Sequence, residues 1–378
     1  ISYERGKMVD PINHHYLPKF YINKFGFQKK KRKYKVYSFD KLFNKNIIPM
    51  DTGNICCEKH RNTLELDGEK SYWVEYSLSE LEGIFSKLIL AVENFFLVKR
   101  FESIRLLRAC CYDKIALNEH LFFFMEKKLP KSYFTRVMEY RPFIYIYEPR
   151  STFDVKFMLS STDVSALKEI PEAIKLISFF ISTSFWRLEK NDLNFDLKFK
   201  LNEVTQCFEK EVSGFDNEFN SLLESNVKPL VSDISSVIDC GQNKNLKIIY
   251  RNLIYPIFSS YLSDVSGDLS FYVVKSPKNN MLSSDYPFIF DNSLGLNMKA
   301  PFVFVWSSKY ILLASRQKPI IDDVEDFCFK VSVVSHLQSS RYSFCNSKEQ
   351  MCSVIDAAQN YNDVELMDLK NEILAHLL

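Results

Sequence analysis

"FVFVWSSKYILLAS", residues 302–315, decides the fold class. Val, Ile, Phe, Trp and Tyr crowd it, and such side chains suit a pleated, half-buried strand. "SFYVVKS" (270–276) and "PFIF" (287–290) read the same way. "SPKNN" (276–280) and "DNSLGLN" (291–297) supply turns between them. From about Asp323 the pattern reverts to helix and ends in "NDVELMDLKNEILAHLL", 362–378.

Upstream of this region the period changes. From Ser77, Leu81, Ile84, Phe85, Leu88, Ile89, Val92, Phe95 and Phe96 follow helical spacing, with Ser77 or Ser79 as the cap. Further helices are expected over about 100–127, 130–140, 164–185 and 201–225. At the N-terminal end, "PKFYINKF" (18–25) reads as a short helix with Pro18 in its first turn. "KYKVYSFD" (33–40) alternates as a strand, and "NKNIIPMDTGN" (44–54) reads as a turn-rich connection. "LELDGEKSYWVEYS" (64–77) suits a hairpin turning at Asp67-Gly68. The expected class is α+β. A small N-terminal α/β module (1–76) precedes a mainly helical middle section (77–240). A C-terminal antiparallel strand region followed by helices (241–378) closes the chain, in a separate domain or in one compact domain with the N-terminal module.

Composition narrows the function classes. A chain of 378 residues that is 46% apolar and 25% charged is globular. It holds nine Gly, with no GxGxxG and no GxxxxGK[ST], which argues against a Rossmann cofactor domain or a P-loop. Nine Cys, including the adjacent pairs Cys56-Cys57 and Cys110-Cys111, fit reduced thiols in a cytoplasm. The N-terminus lacks a secretory pattern. "LISFFISTSFW" (176–186) falls short of the ~20 residues a membrane span needs. A cytoplasmic protein without a membrane partner is expected.

Charge is uneven. Residues 1–70 carry 15 Lys or Arg and 8 Asp or Glu, a net +7, against +2 for the whole chain. No acid lies between Asp10 and Asp40, and that gap holds Lys29, Lys30, Lys31, Arg32 and Lys33. Such a run is a solvated loop or a contact for phosphate and nucleic acid.

Four constellations could carry chemistry. His14 and His15 precede Pro18, which favours an extended lead-in and would hold His15 as a general base just before a helix; the alternative is a pair that caps or packs. Cys56, Cys57 and His60 are zinc-ligand types, although adjacent cysteines are poorly spaced for that metal. "MLSSDYPFIF" (281–290) sets Asp285 at a sharp turn, as a metal ligand, a partner that orients His15, or a turn-forming side chain. Glu80 or Glu82 is expected to pair with Arg105 or Arg108 between consecutive helices.

His14-His15-Tyr16-Leu17-Pro18 together with Asn54…His60 faintly resembles an HNH-type nuclease. That resemblance implies a His that activates water and a divalent metal such as Mg²⁺ at the phosphate, with Asp285 and His60 as candidate ligands. The chain departs from the pattern in lacking a second Cys-x-x-Cys-His.

A broader resemblance covers most of the chain. His15-Tyr16-Leu17-Pro18-Lys19-Phe20-Tyr21-Ile22-Asn23-Lys24-Phe25 is similar to the His-Tyr-x-Pro-x-x-Tyr-Leu-x-x-Phe opening of a prokaryotic domain-of-unknown-function family. Ser284-Asp285-Tyr286-Pro287 is similar to its late Ser-Asp-x-Pro motif. Tyr34–Asp40, Asn54–Glu58, the Glu-bearing helix at Leu78–Phe85, Arg108, a strand pair at Phe302–Ala314 and a terminal helix at Val324–Ser343 follow its order. The resemblance implies an accessory or defence-type effector, with a protein partner from the same defence operon. It also implies one site shared by His15 and Asp285. The expected activity is metal-assisted phosphodiester hydrolysis on DNA or RNA. The alternatives are a non-enzymatic sensor or partner-binding protein, and chemistry on a free nucleotide.

Overall fold

The computed structural model describes residues 12–30, 33–66, 69–96, 164–166, 171–195, 270–291 and 301–378, with positions 244, 247, 248, 251, 252, 255, 256, 259 and 298. Strand β1 (Asn13–His15) leads through Pro18 into the short helix α1 (Lys19–Ile22) and a 3₁₀ turn (Asn23–Phe25). Pro18, at ψ 133°, is the extended cap of α1, as a chain entering a helix from a strand requires. Strands β2 (Phe27–Lys30), β3 (Lys33–Asp40) and β4 (Asn44–Asp51) follow. Val36, Ser38 and Asp40 of β3 are buried, matching the alternation in the sequence.

The stretch 44–54 corrects the sequence reading. It is a strand for most of its length, pairing β3 from Lys35↔Asp51 to Asp40↔Asn44. Pro49 sits on a strand that, among the described residues, pairs β3 alone, an edge position where proline is tolerated.

β5 (Cys57–Lys59) pairs β1, and β6 (Leu64–Leu66) pairs β7 (Glu69–Ser71) as the expected hairpin. Helix α2 (Trp73–Phe96) starts one turn before Ser77. Val74, Leu78, Leu81, Phe85 and Ile89 form its buried stripe. The helices expected over 100–127, 130–140 and 201–225 lie outside the described residues. Over 164–185 the structure has strand β8 (Val164–Ala166), then helix α3 (Pro171–Arg187). Among the described residues no helix is long and apolar enough to cross a membrane.

The C-terminal strands are β9 (Ser270–Lys275), β10 (Ser283–Ser284), β11 (Phe288–Ile289), β12 (Phe302–Val305) and β13 (Tyr310–Ser315). They give an antiparallel sheet in the order β11-β12-β13-β9-β8. Every residue of β12 and β13 is buried, which explains continuous apolar runs in place of alternation. Asp323 caps helix α4 (Val324–Leu337), and its side chain accepts from the Glu325 and Asp326 N–H groups.

The expected terminal helix over Val324–Ser343 is also corrected. The chain leaves helix at Leu337 and forms strand β14 (Tyr342–Cys345). β14 pairs β3 on one side and β10 on the other, so the N- and C-terminal segments share one sheet. Helices α5 (Lys348–Ala358) and α6 (Asp363–Ala375) close the chain. α6 begins with a capping box between Asn362 and Glu365.

The core is aromatic. Phe180 of α3 packs on Phe304 and Trp306 at 5.9 and 5.4 Å, Tyr21 on Phe304 at 5.5 Å, and Phe25 on Phe344 at 5.4 Å. Burial of each such ring is worth about 2–3 kcal/mol. The His-Tyr motif is thus anchored by apolar positions: Leu17, Tyr21, Ile22 and Phe25 are all 0% exposed.

Candidate functional site

The β1–β5 pair sets His15 opposite Cys57 and His14 opposite Glu58. Successive side chains on a strand face opposite ways, so the two histidines enter different environments. His14 is fully buried, and its Nδ1 accepts from the Asn62 N–H at 2.8 Å. The Glu75 carboxylate lies 3.9 Å away, and the His60 and Tyr72 rings approach edge-on. His14 therefore fastens the turn after β5.

His15 is differently placed. Its ring bonds the Thr52 carbonyl, while Nε2 is buried with no hydrogen-bond partner among the described residues. With the proton on Nδ1, the Nε2 lone pair is left bare. Burial, then the charges of Arg187 and Lys19, hold its pKa down at about 4. The imidazole is neutral at pH 7 and able to accept a proton.

The cation beside His15 was missed by sequence reasoning. Arg187, 1% exposed, donates to the His15 carbonyl at 2.6 Å and to Glu82 at 2.8 Å. Glu82 thus finds its arginine on α3; Arg105 and Arg108 lie outside the described residues. Burial raises the Glu82 pKa against the pull of Arg187. Behind this pair, Arg61 donates to Glu58 at 2.9 Å, to Asp192 at 2.7 Å and to the Arg187 carbonyl at 3.1 Å. Arg251 donates to Asp192 at 3.0 Å and to the Arg61 carbonyl at 2.9 Å. Burial and the neighbouring Arg61 depress Arg251 to about 10. A sequence signal existed: Arg187 ends the apolar run 176–186, where a charge must be paired to be buried.

Asp285 does not act as a free carboxylate. Oδ1 accepts from the Ser340 N–H at 3.0 Å, and Oδ2 accepts from Arg341 and Tyr342 at 2.7 and 2.9 Å. It staples the loop between α4 and β14. Burial lifts its pKa to about 6 although these three N–H groups pull it down. Its charge is felt at Tyr16 and Cys56, and Tyr16 hydrogen-bonds Cys56. The Asp285 charge thus reaches Tyr16, one residue past His15, and Ser283, just before the late motif, has its Oγ 2.8 Å from the Tyr21 hydroxyl.

The metal expectations fit poorly. Cys56 and Cys57 are consecutive: one bonds Tyr16, and the other turns to the Gly53 carbonyl at 3.6 Å. His60, in the left-handed region at φ 57°, has Nδ1 3.3 Å from Thr63 Oγ1. Among the described residues no group of three or more His, Cys, Asp or Glu is placed to hold a metal ion. The basic run is set apart as well. Lys29 and Lys30 lie on β2, Lys33 opens β3, and Lys31 and Arg32 lie outside the described residues. Lys33 stands seven residue steps, roughly 23 Å, from the Asp40 end of β3, which pairs β14 beside the Asp285 staple.

Residues 13–124 match the model of a family described as "Protein of unknown function (DUF4238)". An uncharacterised domain family is thus supported for the segment that holds β1 to α2, while the Ser-Asp-x-Pro turn lies beyond the matched span. No curated protein and no solved structure matches the chain.

Proposed function

We propose that this protein hydrolyses a phosphodiester, with His15 as the general base. The observation that carries the reading is the bare, buried Nε2 of a neutral His15 beside the cations Lys19 and Arg187. Nε2 is buried in this conformation, so the step requires substrate binding to admit a water there. The water gives its proton to Nε2 as its oxygen bonds phosphorus. The P–O bond to the leaving strand breaks, and the imidazolium returns the proton to the departing oxygen. The exposed Lys19 ammonium contacts the phosphate, and buried Arg187 adds its field in a site of low dielectric. Both cations depress His15 through repulsion. An anionic substrate offsets that repulsion, so binding itself makes His15 a stronger base. The segment Lys29–Lys33 grips the nucleic-acid backbone farther along. A defence-type effector role suits such an activity. No step is routed through a metal, because Asp285 spends its carboxylate on three backbone N–H groups.

That same Asp285 staple favours the second reading, a non-enzymatic sensor or partner-binding protein. The two separate on labelled DNA and RNA oligonucleotides incubated with and without Mg²⁺. Under the hydrolase reading, His15→Gln cuts the rate by about 10²–10⁴-fold and leaves the melting temperature in place. Unchanged cleavage by that variant sinks the assignment. A wild type that cleaves neither polymer, with a variant that merely melts earlier, supports the binding module.

A further inference from the structure

Leu42 and Phe43, at the tip of the β3–β4 hairpin, are 65% and 78% exposed. Burial in the fold does not explain two large apolar side chains there. The tip is nevertheless held in place. The Lys41 N–H donates to the Arg341 carbonyl at 2.9 Å, and Asp40 accepts from Arg341 Nε and Nη2 at 3.0 and 2.9 Å. Fixed in this way, the Arg341 guanidinium lies 4.7 Å from the Phe43 ring centroid and 4.4 Å from that of Tyr342. One face of Phe43 is thus backed by a cation, and the ring remains widely exposed to solvent.

We infer that Phe43 is a stacking platform for one base of a single-stranded nucleic acid whose backbone runs along the β3–β4 hairpin towards His15. The inference rests on the hydrolase reading and names its substrate class. A rigid, cation-backed aromatic is the usual receiver of an unstacked base, and a base within a duplex has no free face to offer it. The platform and the site lie at the two ends of the β3–β4 hairpin. Phe43 is at its tip, and Thr52, beside the His15 ring, follows the end where Asp51 pairs Lys35, five residue steps or roughly 17 Å along β3 from Asp40. The basic N-terminal segment supplies sequence-independent attraction for the strand.

The test compares wild type, Phe43→Ala and Phe43→Trp by fluorescence anisotropy. The probes are a labelled single-stranded DNA, the same sequence as RNA, and each annealed into a duplex. Phe43→Ala is expected to weaken single-strand binding about tenfold or more, with Phe43→Trp at wild-type affinity or tighter, duplex binding unmoved and the melting curve unchanged. Phe43→Ala binding a single strand as tightly as wild type overturns the proposal. So do equal losses on single strand and duplex, and a wild type that binds no single strand. A cleavage assay run in parallel keeps the two readings apart. A strand bound through Phe43 but left intact removes the hydrolase and keeps the platform. Cleavage that needs His15 and ignores Phe43 removes the platform and keeps the hydrolase.

Discussion

Tyr21 and Ser283 stand 262 positions apart in the chain, and their hydroxyl oxygens lie 2.8 Å apart in a buried contact. The Tyr21 hydroxyl also donates to the Val305 carbonyl, so one phenol ties α1, β10 and β12 together. The early motif is therefore fastened by a structural bond to the residue just before the late one.

Tyr21→Phe removes both bonds and keeps the ring in its aromatic cluster. Loss of a buried hydroxyl that leaves Ser283 and Val305 short of a partner costs about 1–3 kcal/mol. Chemical denaturation is expected to show a lower midpoint at unchanged slope, with oligonucleotide cleavage per folded molecule as in wild type. A variant of full stability would mean that the contact contributes nothing.

Asp285→Ala tests whether the late motif is a staple. It strands three N–H groups of the loop between α4 and β14, and the expected loss is on the order of 3 kcal/mol. Asp285→Asn is expected to fall in between, since its oxygen can accept from Arg341 and Tyr342 while its amide nitrogen cannot accept from the Ser340 N–H. Thermal melting of both variants checks this. Wild-type stability combined with abolished cleavage would return Asp285 to the catalytic machinery.

The outline of the fold was legible where chemistry repeats. β3 alternates, β12 and β13 are dense in branched and aromatic residues, and Asp323 marks a helix start. β4 was missed because Asn44, Asn46 and Pro49 are turn-formers by propensity; pairing with β3 overrides them. β14 was missed because "YSFC" is four residues long, and the two strands that flank it in the sheet come from distant parts of the chain. The site was half legible. His15 could be picked from its place before Pro18. Arg187 could not be matched to it, since they are 172 positions apart and the bond runs to a backbone carbonyl. Asp285 was read as a metal ligand, a partner for His15 or a turn-forming side chain; it does bond backbone N–H groups, but those of residues more than fifty positions away.

Arg187→Met tests the electrostatic part of the site. Removing the guanidinium strips Glu82 and the His15 carbonyl of their donor, and breaking one half of such a buried pair costs about 3–5 kcal/mol. It also removes the largest charge that holds His15 down. The His15 ring, followed by NMR, is expected to titrate above its wild-type value of about 4, moving towards 6.5. A His15 resonance that titrates as before would show that Arg187 does not set its basicity.

Acid sensitivity gives a test at a second histidine. His336 packs against Phe39 at 5.6 Å, with Nδ1 2.9 Å from Ser343 Oγ. Burial and the nearby Lys41 depress it from 6.5 to about 4. A histidine whose folded pKa is lowered is protonated more readily in the unfolded chain, so its contribution to stability falls as pH drops from 6.5 to 4. Asp285, raised to about 6, works in the opposite sense over much of that range. His15, also held at about 4, adds to the loss, so the wild-type slope mixes all three, and the difference between wild type and His336→Gln isolates His336. That difference is expected to move against wild type between pH 6.5 and 4, by up to about 3 kcal/mol. Urea midpoints of both proteins across the interval measure it, and a gap that stays constant with pH would show that His336 keeps an ordinary pKa in the folded protein.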